Sequence, residues 1–235
     1  MLFSLILIIS IGSIIQNKFS GNVTNENIKI ITNNPLDITQ IERISKFRSC
    51  YGHDYSGLNI NGEKEPLSSM KHYIEPFSSL MNTKDKIKVF APFDGKITEI
   101  IYYDKNDQQI FISSNEARAW HFIFFHIAPL PEIIKGKKVK SGELIGYVNR
   151  FDSHNFDFAL KKFELFNQIF DSPFLHMSDS VLEEYSKFGL TKENIIISKR
   201  IRELNPCKTE GFIQGDVLFK SSDSKNNKDF VDLKK

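Results

Sequence analysis

Ile133-Ile134-Lys135-Gly136-Lys137-Lys138-Val139-Lys140-Ser141-Gly142-Glu143-Leu144-Ile145-Gly146 brings a glycine back every few residues among apolar and charged positions. Each glycine falls where a short hairpin needs a positive φ or a close backbone approach, which residues carrying a Cβ resist. The stretch sits inside a series of runs with strand character: Ile87 to Phe90, Lys96 to Tyr103, Gln109 to Ser113, Ala119 to Ile127, Leu144 to Val148 and Phe156 to Phe163. Turn chemistry separates them at Asp94-Gly95, Lys105-Asn106-Asp107, Lys135-Gly136 and Ser141-Gly142. The chain's 21 phenylalanines, with its Ile and Val, suit pleated, half-buried surfaces better than a helical bundle. The expected class is therefore mainly β.

Outward from this centre the character changes. Leu2 to Ile15 is almost wholly apolar and ends at Gln16-Asn17-Lys18. It is shorter than the roughly 20 residues of a membrane helix and suits the apolar part of a signal peptide, although no basic residue precedes it. Residues 1–16 are thus read as a signal peptide or membrane anchor, with a buried segment as the third alternative. Residues 17–47 read as a polar, Asn-rich linker that turns at Asn34-Pro35-Leu36-Asp37 and enters a short helix over Ile38 to Phe47. The core is placed at 48–171. A helical extension follows at 172–220, with Asp179 as a cap and Val181, Leu182, Tyr185 and Phe188 on one face up to Gly189. A second segment runs from Thr191 to Asn205-Pro206. Residues 221–235, dominated by Ser, Asn, Asp and Lys, read as a disordered tail.

With 235 residues the chain suits one large domain, or one with appendages. Its 31 basic and 29 acidic residues nearly cancel, which argues against nucleic acid as a partner. The runs Lys135-Gly136-Lys137-Lys138 and Lys161-Lys162 read as solvated surface. Cys50 and Cys207 bracket the core; in an oxidising compartment they close a loop of about 157 residues, stabilising by about 4 kcal/mol on the chain-entropy model, and otherwise they are two thiols. No serine-hydrolase elbow, phosphate loop, His-Glu-x-x-His helix or Cys-x-x-Cys pair occurs.

The succession Val89-Phe90-Ala91-Pro92-Phe93-Asp94-Gly95-Lys96-Ile97, then Phe124-Phe125-His126-Ile127, then the glycine hairpin, resembles the lysostaphin-type zinc metallopeptidases. Biotinyl and lipoyl carriers share the hairpin, but their Met-Lys-Met tip is absent. The resemblance implies an antiparallel β-sheet core of the duplicated hybrid motif, here with an N-terminal arm and a C-terminal helical extension. It also implies a secreted, periplasmic or membrane-anchored location, zinc as cofactor, and a cell-wall or envelope peptide or glycan as partner.

By position His72 resembles the first zinc ligand, while Pro76 stands where the family has Asp; Glu75 replaces that carboxylate if the strand is bulged. His126 resembles a catalytic histidine. Asn155-Phe156-Asp157-Phe158 falls on the family's His-x-His strand, so Asp157 takes a ligand position and Asn155, whose amide does not titrate near neutrality, replaces a base. A one-residue slip puts His154 and Phe156 there instead. The set implied is His126 as catalytic and His72, Glu75 and Asp157 as metal ligands. Two functions follow: a degenerate module for envelope binding or regulation, or an active zinc endopeptidase, a hydrolase with an unusual ligand set. Gly52-His53-Asp54-Tyr55-Ser56 and Ser69-Met70-Lys71-His72-Tyr73 read as loop-like segments that bind a polar ligand or cover the cleft, the alternative for His53 and Asp54 being local hydrogen bonding.

Overall fold

Alternating and doubly apolar runs become strands throughout the centre of the chain. The computed structural model describes residues 28–149, 156–213, 215–220 and 228–234. In chain order the main-sheet strands are β1 (Ile41–Ser45), β2 (His72–Pro76), β3 (Lys88–Phe90), β4 (Gly95–Asp104), β5 (Asp107–Ser114), β6 (Trp120–Pro129), β7 (Lys138–Val139), β8 (Leu144–Tyr147), β9 (Phe156–Phe163) and β10 (Gln168–Asp171). A separate hairpin is formed by β11 (Thr209–Ile213) and β12 (Asp216–Phe219), and β13 (Phe230–Asp232) returns to the sheet. The sheet order is β13-β1-β2-β9-β6-β5-β4-β7, with β10 beside β9 and β8 bridging β6 to β3. Every pairing between these strands is antiparallel. The chain is mainly β, as its strand patterning implies.

Strand β6 shows why the sheet holds. Phe122 and Phe124 enter the main core with Phe156, Phe158 and Leu160, while Ile123 and Phe125 pack on the opposite face with Phe111 and Ala159. A strand apolar on both faces is buried on both, and each such side chain contributes about 1.5–3 kcal/mol of burial free energy. Gly146 lets β8 lie against β6: a Cβ there would sit 2.4 Å from the Ala128 carbonyl oxygen. Gly136 and Gly142 take φ of 95° and 80°, as the hairpin reading requires.

The flanks differ from their reading in five places. Ile38 to Phe47 is not a helix: a 3-10 turn over Ile38–Gln40, capped by Asp37, gives way to β1. Pairing of β1 between β2 and β13, with Ile41 and Ile44 buried, outweighs the local spacing. Helix α1 (Asp179–Lys187) is capped by Ser178, one residue before Asp179. The segment after Thr191 splits into α2 (Lys192–Ile195) and α3 (Lys199–Leu204), each with its own cap, and the extension ends in the β11–β12 hairpin. Within the tail, Phe230 and Val231 are buried as part of an edge strand on β1; the polar composition of 221–235 hides this short apolar run. Residues 221–227 and the apolar segment Leu2 to Ile15 lie outside the described residues. Among the described residues no helix is long and apolar enough to cross a membrane. Cys50 and Cys207 form a disulfide, with Cα atoms 5.2 Å apart.

Candidate functional site

The face of the sheet carrying Ile123, Phe125 and Ala159 opens toward solvent near the start of β2 and the end of β6. A register shift creates the opening: Ile110 pairs with Phe124, but Gln108 pairs with Ile127. Phe125 and His126 therefore stand opposite Gln109 alone, which is a β-bulge. His126 takes φ 61°, a conformation uncommon for a residue with a Cβ. The bulge breaks the alternation, so both Phe125 and His126 line one cavity of about 510 Å³ with His53, Tyr55, Lys71 and Lys161.

Asp157, with no solvent exposure, borders an adjoining pocket with His53, Lys71, Tyr73 and His126, and stands opposite Tyr73 on β2 and Phe125 on β6. Its charge is met by the ammonium of Lys71, which is 2 % exposed. The contact is an ion pair; among the described residues neither carboxylate oxygen has a well-aligned hydrogen-bond donor. The same ammonium lies 3.2 Å from His53 Nε2, and the rings of Tyr73, Phe125 and Tyr55 surround it at 4.7, 4.8 and 5.2 Å. An ammonium only donates, so His53 Nε2 accepts and its Nδ1–H points to the Asp54 carbonyl at 3.1 Å and Asp216 Oδ2 at 3.3 Å. His53 is held neutral by burial and then by the charge of Lys71, both of which lower its pKa. Burial works against the Lys71 charge, but Asp157 and then Tyr73 outweigh it and raise its pKa. His126 Nδ1 is 2.9 Å from Asp107 Oδ1, and its Nε2 is 3.7 Å from Asp157 Oδ1.

Of the residues singled out in the sequence, the structure brings His126 and Asp157 together and leaves His72 and Glu75 elsewhere. Lys71 and Tyr73 face the cleft, so strand alternation turns His72 into the core on the opposite side. There His72 is enclosed by Phe47, Phe158 and Phe174, with Nδ1 2.7 Å from the Ser45 carbonyl and Nε2 3.1 Å from Ser172 Oγ. Burial lowers its pKa to about 4, partly opposed by the Ser45 bond. Glu75 faces Arg43 across β1 and is bound by its Nε at 2.6 Å. His154 and Asn155 lie outside the described residues.

Among the described residues, those at the cleft do not fit zinc. Among the described residues no three of His, Cys, Asp and Glu gather as a metal site. Asp157 and His53 already share the Lys71 ammonium. A divalent ion beside that ammonium would meet a repulsion of roughly 4 kcal/mol per unit of charge at about 4 Å and an effective dielectric near 20. Lys71 belongs to the Ser69–Tyr73 segment expected to bind a polar ligand or cover the cleft, whereas Lys161 is a site residue that its reading as solvated surface does not include. Although its pairing with Lys162 in the sequence suggests solvated charge, Lys161 shares its strand face with Asp157 and is 9 % exposed.

No protein-family profile and no curated protein matches the sequence. Parts of the chain are similar to solved structures. One is a protein of Ruminococcus gnavus assigned as a glycyl-glycine endopeptidase, at 21 % identity over 45 % of this chain and 44 % of that one, TM-score 0.36. Another is lysostaphin, at 20 % identity over 56 % and 54 %, TM-score 0.36. A zinc-containing peptidase from Vibrio cholerae shares 15 % identity over 57 % and 41 %, TM-score 0.32. The chain thus spans about half the length of the structures it matches.

Proposed function

We propose that this chain is a lysostaphin-type module of the cell envelope that binds a peptide or glycan in its cleft without cutting it. The carrying observation is the Lys71 ammonium, which occupies the space between Asp157 and His53 that an activating cation would need. The cleft is otherwise open and lined by aromatic rings with a few convergent polar groups, the usual make-up of a recognition site. In the sequence register that sets Asn155 at the family's base position the same reading is supported, since general-base assistance is worth about 10² to 10⁴ in rate. Export is supported by the short apolar segment Leu2 to Ile15 and by the Cys50–Cys207 bridge, which persists in oxidising compartments.

The test measures zinc per chain and the release of products from envelope peptides, on wild type and on His126→Ala. Less than a tenth of an equivalent of zinc and no cleavage are expected. One zinc per chain, with cleavage lost on substitution of His126, establishes the zinc endopeptidase instead. Deleting residues 2–16 should leave folded protein in the cytoplasm; delivery to the envelope without them contradicts the export reading.

A further inference from the structure

Among the described residues two ammonium groups reach the cleft, and one of them meets a carboxylate. Lys71 is neutralised by Asp157. Lys161 lies four residues beyond Asp157 on the same face of β9, lines the same cavity and is 9 % exposed. Its Nζ is 3.2 Å from the amide oxygen of Gln168 and 4.3 Å from the ring centroids of both Tyr55 and Phe170. Among the described residues no carboxylate stands within ion-pair distance of it. Rings and an amide oxygen orient an ammonium, but they do not replace the counter-charge that burial calls for.

We propose that Lys161 is the recognition residue for a ligand carboxylate, the free C-terminal end of a peptide, which enters the cleft and supplies the missing counter-charge. This rests on the reading of the cleft as a site that binds without cutting. A monoanion fits better than a phosphate dianion because Asp107 and Asp216 stand at the cavity wall and repel excess negative charge. Tyr55, Phe125, Tyr103 and Ile213 offer apolar surface for the residue that bears the carboxylate. The Lys161 ammonium is in the state such a site needs. Burial and then the positive charge of Lys71 lower its pKa to about 8, so it is still mostly charged at neutral pH and gains from any bound anion.

Calorimetry with the purified full chain tests this on four probes: acetyl-Ala-Ala, its C-terminal amide, acetyl-Glu-amide and inorganic phosphate. The acid should bind at least about tenfold more tightly than the amide, a difference of about 1.4 kcal/mol. Lys161→Met should abolish that preference, and Lys161→Arg should keep it. Lys162→Met should leave it unchanged, because Lys162 alternates to the other face and is bonded to Glu164 at 2.8 Å. Acid and amide binding within twofold overturns the proposal, as does no binding of the acid up to about 10 mM. Tighter binding of acetyl-Glu-amide or of phosphate overturns the chain-end assignment. Should Lys161→Met fail to fold, the acid and amide comparison on wild type still decides. Mass spectra of the same samples keep the two readings apart: peptide fragments would contradict binding without cutting, whereas intact peptide with equal affinities contradicts only the role of Lys161.

Discussion

The ammonium of Lys71 behaves as a cation built into the chain. It is held by Asp157, accepted by His53 Nε2 and ringed by Tyr73, Phe125 and Tyr55. Removing it leaves a buried carboxylate uncompensated, a loss on the order of 3–5 kcal/mol. In Lys71→Ala that loss should be partly reversed by added zinc, since Asp157 and His53 then have a vacant position between them. Wild type should be indifferent to both zinc and chelator, and urea midpoints measured in each condition check this. A wild-type midpoint that falls in chelator would show a native metal. His72 has the opposite character, a base kept neutral by burial, with a folded pKa of about 4 against about 6.5 when unfolded. Between those values the unfolded chain takes up the proton first, so stability falls as pH drops from 6.5 toward 4 and is level above. The full loss is on the order of 3 kcal/mol, and His72→Gln should remove it from a series of unfolding curves across that window. Unchanged pH dependence in the variant would contradict this placement of His72.

Strands were legible because a period of two survives in the sequence wherever one face differs from the other, and because Phe156 to Phe163 and the Phe-rich β6 are apolar enough to be strands buried on both sides. The helix read over Ile38 to Phe47 failed because Ile38, Ile41, Ile44 and Phe47 recur every three residues, while the partners β2 and β13 that make β1 a strand lie far away in the chain. The site was legible only in part for a related reason. Matching His72 to a ligand position counts residues along the chain, but a strand sorts them by face, and the face that meets Asp157 carries Lys71 and Tyr73. The bulge at Phe125 and His126, which no local signal announces, supplies the other half of the cleft. Close approach of β8 to β6 depends on Gly146 in the same way that the cleft depends on the bulge. In Gly146→Ala the new Cβ would meet Ala128 O at 2.4 Å and Pro129 Cα at 2.8 Å, both backbone atoms that cannot rotate aside. A destabilisation of about 1–3 kcal/mol is expected by chemical denaturation, against little effect for Gly211→Ala, where a Cβ meets nothing within 4 Å. Equal midpoints for the two variants would show that the β6–β8 contact yields freely.

At the scale of the molecule the cleft is closed by a part of the chain remote from its floor. The β11–β12 hairpin adds to the loop that carries His53: Asp54 N–H donates to the Val217 carbonyl at 2.7 Å, and Phe219 N–H donates to the Gly52 carbonyl at 3.0 Å. Ile213 and Asp216 at the hairpin's turn then form a wall of the cavity. Cys50 lies just before that loop and Cys207 just before β11, so the disulfide ties the roots of the two segments together. Arg202 braces the junction, donating from Nε to the Arg48 carbonyl at 2.8 Å and from Nη1 to the Asn205 carbonyl at 2.9 Å. Beyond these and the His53–Asp216 contact at 3.3 Å, most of β11 and β12 is exposed or half-buried, with Phe219 as the buried exception among the described residues. The main core, built from the sheet and α1, does not include Cys50, Cys207 or either hairpin strand. Replacing both cysteines by Ala should therefore lower global stability by about 2–5 kcal/mol through loop entropy, while most of the damage is local. Hydrogen exchange at the Asp54 and Phe219 amides should quicken far more than at Phe124 or Phe158 in the sheet. Binding of acetyl-Ala-Ala should weaken in step, since a wall that opens no longer confines the ligand against Lys161. Unchanged protection at Asp54 and Phe219 in the double variant would mean that the loop and hairpin hold each other unaided, and that the bridge acts on the unfolded chain alone.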